Sequence, residues 1–421
     1  MSLSWRFLNV IMDSRILGLR SLRRIDLARQ KFFNPGPPLN GKGSVANADC
    51  EASKMPRIHL PDPIITFRAS PKDDDQSRSI QYLPLTESKM LCADQSGRTF
   101  LFDAETHHVV TMPSLHKPKE KPLSLFIPST VSQNMDEEEY DEDCVGTLFV
   151  MESSPNMELR YKDQTSDQFE AYTYGQQHKK TSFKSRKCQL LPPPPYLRDP
   201  MRMKVRSEIM SYAVVGGGTQ ILISVEDVGT YCMDIATHTW SPVGKWMLPL
   251  YGKIEYVPEL NLWFGFSDKN HLSAADLSNL DSKPQLVGTW KEFDPPEDWD
   301  LLQGPQLVNI GSGKFCIARF FNTMRISYYG DDFIDQTFGI ITGVEVVPRT
   351  YQGNGNSSAN GGKDNRIASS NCNGSASNSC NGHGNGNGNG NGNGGKKKLR
   401  MIKHKSKCHT TTDGTFIESV F

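Results

Sequence analysis

Two short stretches carry the residue types of general acid–base chemistry. Asp103 is followed by Thr106, His107 and His108, and Asp234 by Thr237 and His238. A carboxylate that orients an imidazole can move protons near neutral pH, provided both groups share one pocket with matched pKa values. The same residues have a structural use. An aspartate that ends a strand can accept hydrogen bonds from the amides of the next turn, or from a threonine hydroxyl. Recurrence at two places favours the structural use, because catalysis needs one pair. No catalytic residue is assigned.

Cys372, Cys380, His383, His404, Cys408 and His409 could supply thiolate and imidazole ligands. Their separations match no standard zinc spacing, so no metal ligand is assigned. Gly311-Ser312-Gly313-Lys314 has part of a phosphate loop. The glycine needed five positions before Gly313 is replaced by Val308, and the hydroxyl residue needed after Lys314 by Phe315. Gly216-Gly217-Gly218 lacks the spacing of a dinucleotide loop. Both glycine clusters read as hairpin turns. No cofactor-binding residue is assigned, and no cofactor is expected.

Charge adds two features. An acidic run spans Asp136–Asp143, and Lys179, Lys180, Lys184, Arg186 and Lys187 form a basic cluster. They read as solvated loops, or as the recognition surface for a charged partner. Lys396-Lys397-Lys398-Leu399-Arg400 reads as a nuclear address or as a strand flank. Over the whole chain, 47 basic residues balance 47 acidic ones. No global field therefore steers it to nucleic acid or to an anionic membrane.

The nine cysteines form no CxxC pair, and Cys92, Cys232 and Cys316 fall in apolar runs. Free thiols of this kind fit a reducing compartment, and cytoplasm or nucleus is expected. No apolar stretch is long enough to cross a membrane as a helix. The Arg-rich N-terminus invites an organelle-targeting reading, but Asp13, Asp26 and the strand-like Phe7–Met12 count against it.

The elements that must carry these residues are short strands. Met90–Ala93, Thr99–Asp103 and Val109–Met112 read as a meander, and Tyr212–Val215, Ile221–Val225, Gly229–Asp234 and Thr239–Val243 as another. Ile64–Ala69 groups with the first. The Pro192–Pro195 run cannot pair within a sheet and reads as an extended connector. FLFDAETHHV from Phe100 and YCMDIATHTW from Tyr231 form an imperfect repeat. Weaker echoes occur at Arg24-Ile25-Asp26-Leu27 and Ala275-Asp276-Leu277-Ser278. No long amphipathic helix is evident. Strand groups centre near residues 10–30, 64–112, 123–191, 212–243, 253–290 and 306–421, which makes an all-β chain with the recurrence of a six-bladed β-propeller.

The expected organisation places the first propeller strands in 1–33, a flexible loop in 34–60 and blades in 61–351, with an acidic insert at 132–144. Residues 352–395, nearly all Gly, Asn and Ser, have too little apolar surface to offset ordering entropy and are expected to be disordered. Residues 396–421 supply closing strands of the last blade.

Several segments carry a family resemblance: LRSLRRIDL from Leu19, MLCADQSGRTFLFDAETHHVVTMP from Met90, LLPPPPYLRDP from Leu190, VGTYCMDIATHTWSPVGKW from Val228, KIEYVPELNLWFG from Lys253 and LRMIKHKSKCH from Leu399. In these the chain resembles a plant family, expanded in grasses, of kelch-like β-propellers designated domain of unknown function 1668. The resemblance implies a kelch-like fold but no reaction. In kelch blades two aromatics pack between blades, and Tyr231 and Trp240 are the counterparts here, nine positions apart. The copper constellation of some kelch-type oxidases has no counterpart. An F-box does not fit before the strand that begins near Phe7.

The expected function is a monomeric protein-interaction module that binds protein partners through propeller loops, with neither nucleic acid nor membrane as partner. The alternative is an enzyme with its site in the central funnel.

Overall fold

The computed structural model describes residues 5–14, 18–34, 54–68, 80–129, 146–158, 165–175, 185–202, 207–326, 332–349, 399–410 and 415–421. The chain divides into a unit of residues 1–347 with 401–421 and a second unit of residues 348–400. Most of the second unit, with the Gly/Asn tract, lies outside the described residues.

The described residues of the first unit are all β apart from short 3-10 turns. In chain order its strands are β1 (Phe7–Asp13), β2 (Leu19–Asp26), β3 (Ile65–Arg68), β4 (Ile80–Pro84), β5 (Lys89–Asp94), β6 (Thr99–Asp103), β7 (Val109–Met112), β8 (Pro122–Pro128), β9 (Gly146–Glu152), β10 (Ser166–Gly175), β11 (Ser185–Leu191) and β12 (Ile209–Val215). They continue with β13 (Gln220–Val225), β14 (Gly229–Asp234), β15 (Trp240–Gly244), β16 (Tyr251–Val257), β17 (Leu262–Phe266), β18 (Leu272–Ala275), β19 (Leu286–Trp290), β20 (Trp299–Gly311), β21 (Lys314–Ile326), β22 (Asp332–Pro348), β23 (Leu399–Thr410) and β24 (Phe416–Val420). Short 3-10 turns at Pro195–Arg198, Pro200–Arg202 and Gly216–Gly218 are the other regular elements named among the described residues.

Four sheets have four strands, in the orders β24-β1-β2-β3, β4-β5-β6-β7, β8-β9-β10-β11 and β20-β21-β22-β23. An eight-stranded sheet joins two such meanders, β12–β15 and β16–β19, through a parallel pairing of β12 with β16 at Ser211–Ala213 and Gly252–Ile254. The second strand of each meander is the most apolar: MLCA in β5, LFVM in β9, ILISV in β13 and LWFGF in β17. Such runs suit a strand covered on both faces. The alternating burial of β12 suits a strand with one face covered.

Burial on both faces follows from how the sheets stack. Ile11, Leu22 and Phe67 pack with Ile80, Met90, Cys92 and Phe102 of the β4–β7 sheet. Leu83, Leu91 and Ala93 pack with Leu148, Val150 and Tyr172 of the β8–β11 sheet. Phe149 and Phe169 then meet Ile221, Ile223 and Met233. Ala213, Leu222 and Cys232 meet Ile254, Trp263 and Ala275. Phe264 lies 5.0 Å from Phe315 of β21, ring to ring. Finally Val308, Cys316, Phe320 and Ile341 pack on Leu8, Val10, Ile417 and Val420 of the first sheet.

The structure regroups some strands. Ile65–Arg68 pairs with β2, not with the meander after Met90. The first strand of that meander is β4, whose Ile-Gln-Tyr-Leu-Pro sequence ends in a proline and gives a weak strand signal. The acidic, proline-bearing stretch Pro295–Asp300 has the composition of a loop, yet β20 begins at Trp299. The Trp299 ring seats 4.5 Å from Phe338 and 5.3 Å from Phe321, and this packing outweighs the acidic neighbours. Of the proline run, Pro195 opens a 3-10 turn, where its fixed φ is suited.

The register shows where insertions leave the sheets. Pro128 pairs with Gly146, Gly146 with Tyr174, and Gly175 with Ser185. The chain between β8 and β9 and the chain between β10 and β11 therefore emerge from the same end of one sheet. They contain the acidic run and most of the basic cluster, which lie outside the described residues. The chain between β2 and β3 and that between β22 and β23 are likewise connections from third to fourth strand.

Candidate functional site

The repeated aspartates close the third strands of their sheets. Asp103 Oδ1 accepts hydrogen bonds from the Glu105 amide at 2.8 Å and the Thr106 amide at 3.3 Å. Asp234 Oδ1 accepts from the Thr237 amide at 2.8 Å and its hydroxyl at 2.9 Å. Asp26 holds the amides of Ala28 and Arg29, and Asp276 that of Ser278. His107 and His238 occupy the left-handed step that ends two of these turns, with φ of 59° and 57°. Burial works to raise the Asp103 pKa, but the turn amides outweigh it and hold the carboxyl low. Asp234 is lowered by the amide and then the hydroxyl of Thr237. These carboxylates are committed to their own turns in separate sheets. His238 packs edge-on against Phe149 of the neighbouring sheet at 6.5 Å.

The glycine clusters are turns. Gly311, Ser312 and Gly313 all have positive φ and carry β20 into β21. A Cβ on Gly313 would stand 2.6 Å from the Val346 carbonyl oxygen, so only glycine fits. Gly216, Gly217 and Gly218 turn β12 into β13 in the same left-handed region.

Among the described residues, the candidate ligands His404, Cys408 and His409 form no metal-binding group. His404 Nδ1 accepts the Asn34 amide at 3.2 Å, and its Nε2 lies 3.2 Å from Glu345 Oε2. Cys408, four residues along β23, is buried, and burial pushes its thiol up to about 12. Cys372, Cys380 and His383 lie outside the described residues. Trp240 of β15 is 6.2 Å from Phe169 of β10 in the neighbouring sheet and its indole donates to the Pro192 carbonyl at 2.9 Å, while Tyr231 is 5.5 Å from Tyr196 of the 3-10 turn. Beside them Asp199, Asp227, Tyr231 and Lys245 border an open groove of about 580 Å³.

A different polar cluster is built around Glu170 on β10. Its side chain is wholly buried. Lys119, equally buried, donates to Oε1 and to the Lys117 carbonyl. Oε2 accepts the His116 amide at 2.9 Å and the Cys188 thiol at 3.1 Å, and lies 2.6 Å from His116 Nδ1. Burial opposes the carboxylate charge, but Lys119 and His116 outweigh it and the Glu170 pKa falls. Burial and the adjacent Glu170 push the Cys188 thiol up to about 12.

The connection that carries His116 and Lys119 is fixed before it arrives. The Thr99 and Tyr172 hydroxyls both donate to the Pro113 carbonyl, at 2.8 and 2.9 Å, and the Leu115 amide donates to Gly97. Sequence reading missed this cluster. Its members are spread from 116 to 188 with no local spacing; only a charged Glu170 inside the apolar-aromatic run of β10 hinted at a buried partner.

Residues 5–409 match the family described as Protein of unknown function (DUF1668). The chain belongs to that family. No curated protein matches this DUF1668 chain in sequence. Among solved structures it is similar to the β-propeller domain of Cps50 (Swd1) from Myceliophteria thermophila, at 8% identity and TM-score 0.34, with 81% of this chain and 90% of that one covered. It is also similar to an auxiliary nutrient binding protein from Bacteroides ovatus, at 12% identity and TM-score 0.32, with 61% of this chain and 56% of that one covered. A third is KlAtg21 in complex with the coiled-coil of AgAtg16, at 9% identity and TM-score 0.35, covering 75% and 76%. Among its described residues, the DUF1668 protein has no helix long and apolar enough to cross a membrane.

Proposed function

We propose that this DUF1668 protein is a six-bladed, kelch-like β-propeller that works as a protein-interaction scaffold. Four-stranded meanders stacked in succession, with the β20–β23 sheet packed on the sheet of β1, support the ring. So do the first strands β4, β8, β12, β16, β20 and β24, which neighbour one another in sequence order. Trp240 packed on Phe169 of the neighbouring sheet, with Tyr231 beside it on Tyr196, supports the kelch likeness.

One observation carries the functional reading. The tight aspartate turns between third and fourth strands are replaced at β10–β11 and β22–β23 by long insertions, and the acidic insertion leaves from the first-to-second connection of the β8–β11 sheet. All three belong to one end of their sheets. Variable loops on a rigid scaffold are the usual carriers of binding function. The charge of the acidic and basic insertions favours a charged protein partner, steered by electrostatics.

The test compares affinity capture by the intact chain with capture by a variant in which 130–145 and 176–184 are each replaced by Asn-Gly, a turn suited to hairpins. A stoichiometric protein retained by the intact chain, weakened by salt and lost from the folded variant, is the expected result. Equal capture by both baits, or none by either folded bait, overturns the reading.

A further inference from the structure

We propose that His116, Glu170 and Cys188 form a binding site for a divalent cation of borderline softness, with Zn²⁺ as the best fit. The three candidate ligand atoms, an imidazole nitrogen, a carboxylate oxygen and a sulfur, all lie within 4.8 Å of one another. They come from three places in the fold, the connection after β7, strand β10 and strand β11. The mixture of N, O and S donors suits zinc better than a hard cation, which takes oxygen alone.

The geometry is close to that of a bound site. Sγ of Cys188 stands 3.9 Å from Nδ1 of His116 and 3.1 Å from Oε2 of Glu170. Ligand atoms around a tetrahedral zinc are roughly 3.2–3.7 Å apart, so the main adjustment is a small retreat of Oε2 from Nδ1. Lys119 holds the other oxygen, Oε1, leaving Oε2 to face the thiol and the ring. A ligating carboxylate is commonly oriented through its second oxygen in this way. The His116 side chain is 43% exposed, so solvent can supply the remaining ligand and the ion has a way in.

Occupancy also has a consistent charge and proton balance. The ion takes the place of the Cys188 thiol proton, which leaves to solvent. In the free site the His116 Nδ1–H donates to Glu170 Oε2; on binding that proton is exchanged for one on Nε2, and Nδ1 presents its lone pair to the ion. With the ion bound, a thiolate and a carboxylate face a divalent cation and the Lys119 ammonium. Each uptake therefore releases one proton, and binding tightens as pH rises.

The experiment uses the full-length protein, stripped with chelator and titrated with Zn²⁺ by calorimetry and with Co²⁺ by absorption. One ion per chain and a sulfur-to-cobalt charge-transfer band are expected. Cys188→Ser should abolish the band and weaken Zn²⁺ binding by about tenfold or more, with His116→Gln weakening it similarly. Serine and glutamine each keep a hydrogen-bond donor for the buried Glu170, so both variants should fold, and a melt of each checks this. A deletion of 353–395 removes Cys372, Cys380 and His383 and should leave binding unchanged. Binding that survives Cys188→Ser and His116→Gln but disappears with the 353–395 deletion overturns the site. So does the absence of a charge-transfer band in the intact, folded protein.

Discussion

Asp103 and Asp234 stand at the same step of two different sheets, each at the end of a third strand, and each binds the turn that follows through Oδ1. Asp103 also faces the buried Lys89 at 3.9 Å. Replacing Asp103 with alanine removes turn hydrogen bonds worth about 1 kcal/mol net each, so a loss of about 1–2 kcal/mol is expected in denaturant melts. Asp103→Asn keeps the acceptor and should lose less. The sign with pH is fixed by the lowered native pKa. The stabilisation is complete above the ordinary carboxylate value of 3.8 and fades as pH falls through the lower native value. The gap between parent and Asp103→Ala should therefore narrow in acid; a gap that stays constant to the acid limit contradicts the assignment.

The next residue pair in the repeat gives a second prediction. His107 holds a φ of 59°, where a β-branched side chain is strained and glycine is free. His107→Gly should leave stability unchanged or raise it slightly, while His107→Val should cost about 1–2 kcal/mol. Equal melts for the two variants would show that backbone conformation does not select this position.

The repeat was legible because it is local. A strand, an aspartate and a Thr-His turn fall within ten residues, and hydrogen bonds between neighbours keep that order wherever it recurs. Apolar runs such as ILISV and LWFGF were legible for a similar reason, since burial on both faces leaves few polar positions; the exception, Ser224, is hydrogen-bonded to Thr230 and the Leu248 amide. Strand grouping was less so. Ile65–Arg68 pairs across a long connection to β2, and β4 is recruited by the sheet it joins rather than by its own composition. The Glu170 cluster was not legible, because it joins three segments far apart in the chain, which the pairing of β10 with β11 and the Thr99 and Tyr172 hydrogen bonds to Pro113 bring together. Tyr231 and Trp240 fall between these cases: their types pointed to an interface, and only the structure shows Tyr196 and Phe169 as the other side.

Lys119 and Glu170 supply a third prediction, made on chelator-treated protein so that an ion does not enter. Both charges are removed from water, and each is tolerated because the other is present. Lys119→Met leaves the Glu170 carboxylate without its ammonium and should cost about 3–5 kcal/mol. The double variant Lys119→Met with Glu170→Leu removes both charges and should recover much of that loss. A double variant as unstable as the single one would mean that volume and packing, not the charge pair, dominate here.

The last strand gives the sharpest test of how the first unit is held together. β24 pairs with β1, placing Val420 opposite Val10 and Phe416 opposite Asp13, and Glu418 reaches Arg20 at 2.6 Å. Ile417 and Val420 enter the core shared with Val308, Phe320 and Ile341, so β24 joins the N-terminal sheet to the one built from β20–β23. Burying two such side chains contributes roughly 3–6 kcal/mol, a large share of a typical domain's stability. Deleting 415–421 should therefore abolish the cooperative melt, and Ile417→Ala should lower stability by about 2–5 kcal/mol. Deleting 353–395 removes Gly, Asn and Ser from a long connection, where loop length changes closure entropy only slowly, and the melt should shift by no more than about 2 °C. If instead the seven C-terminal residues can be removed without loss of cooperativity, the pairing of β24 with β1 does not hold the first unit together.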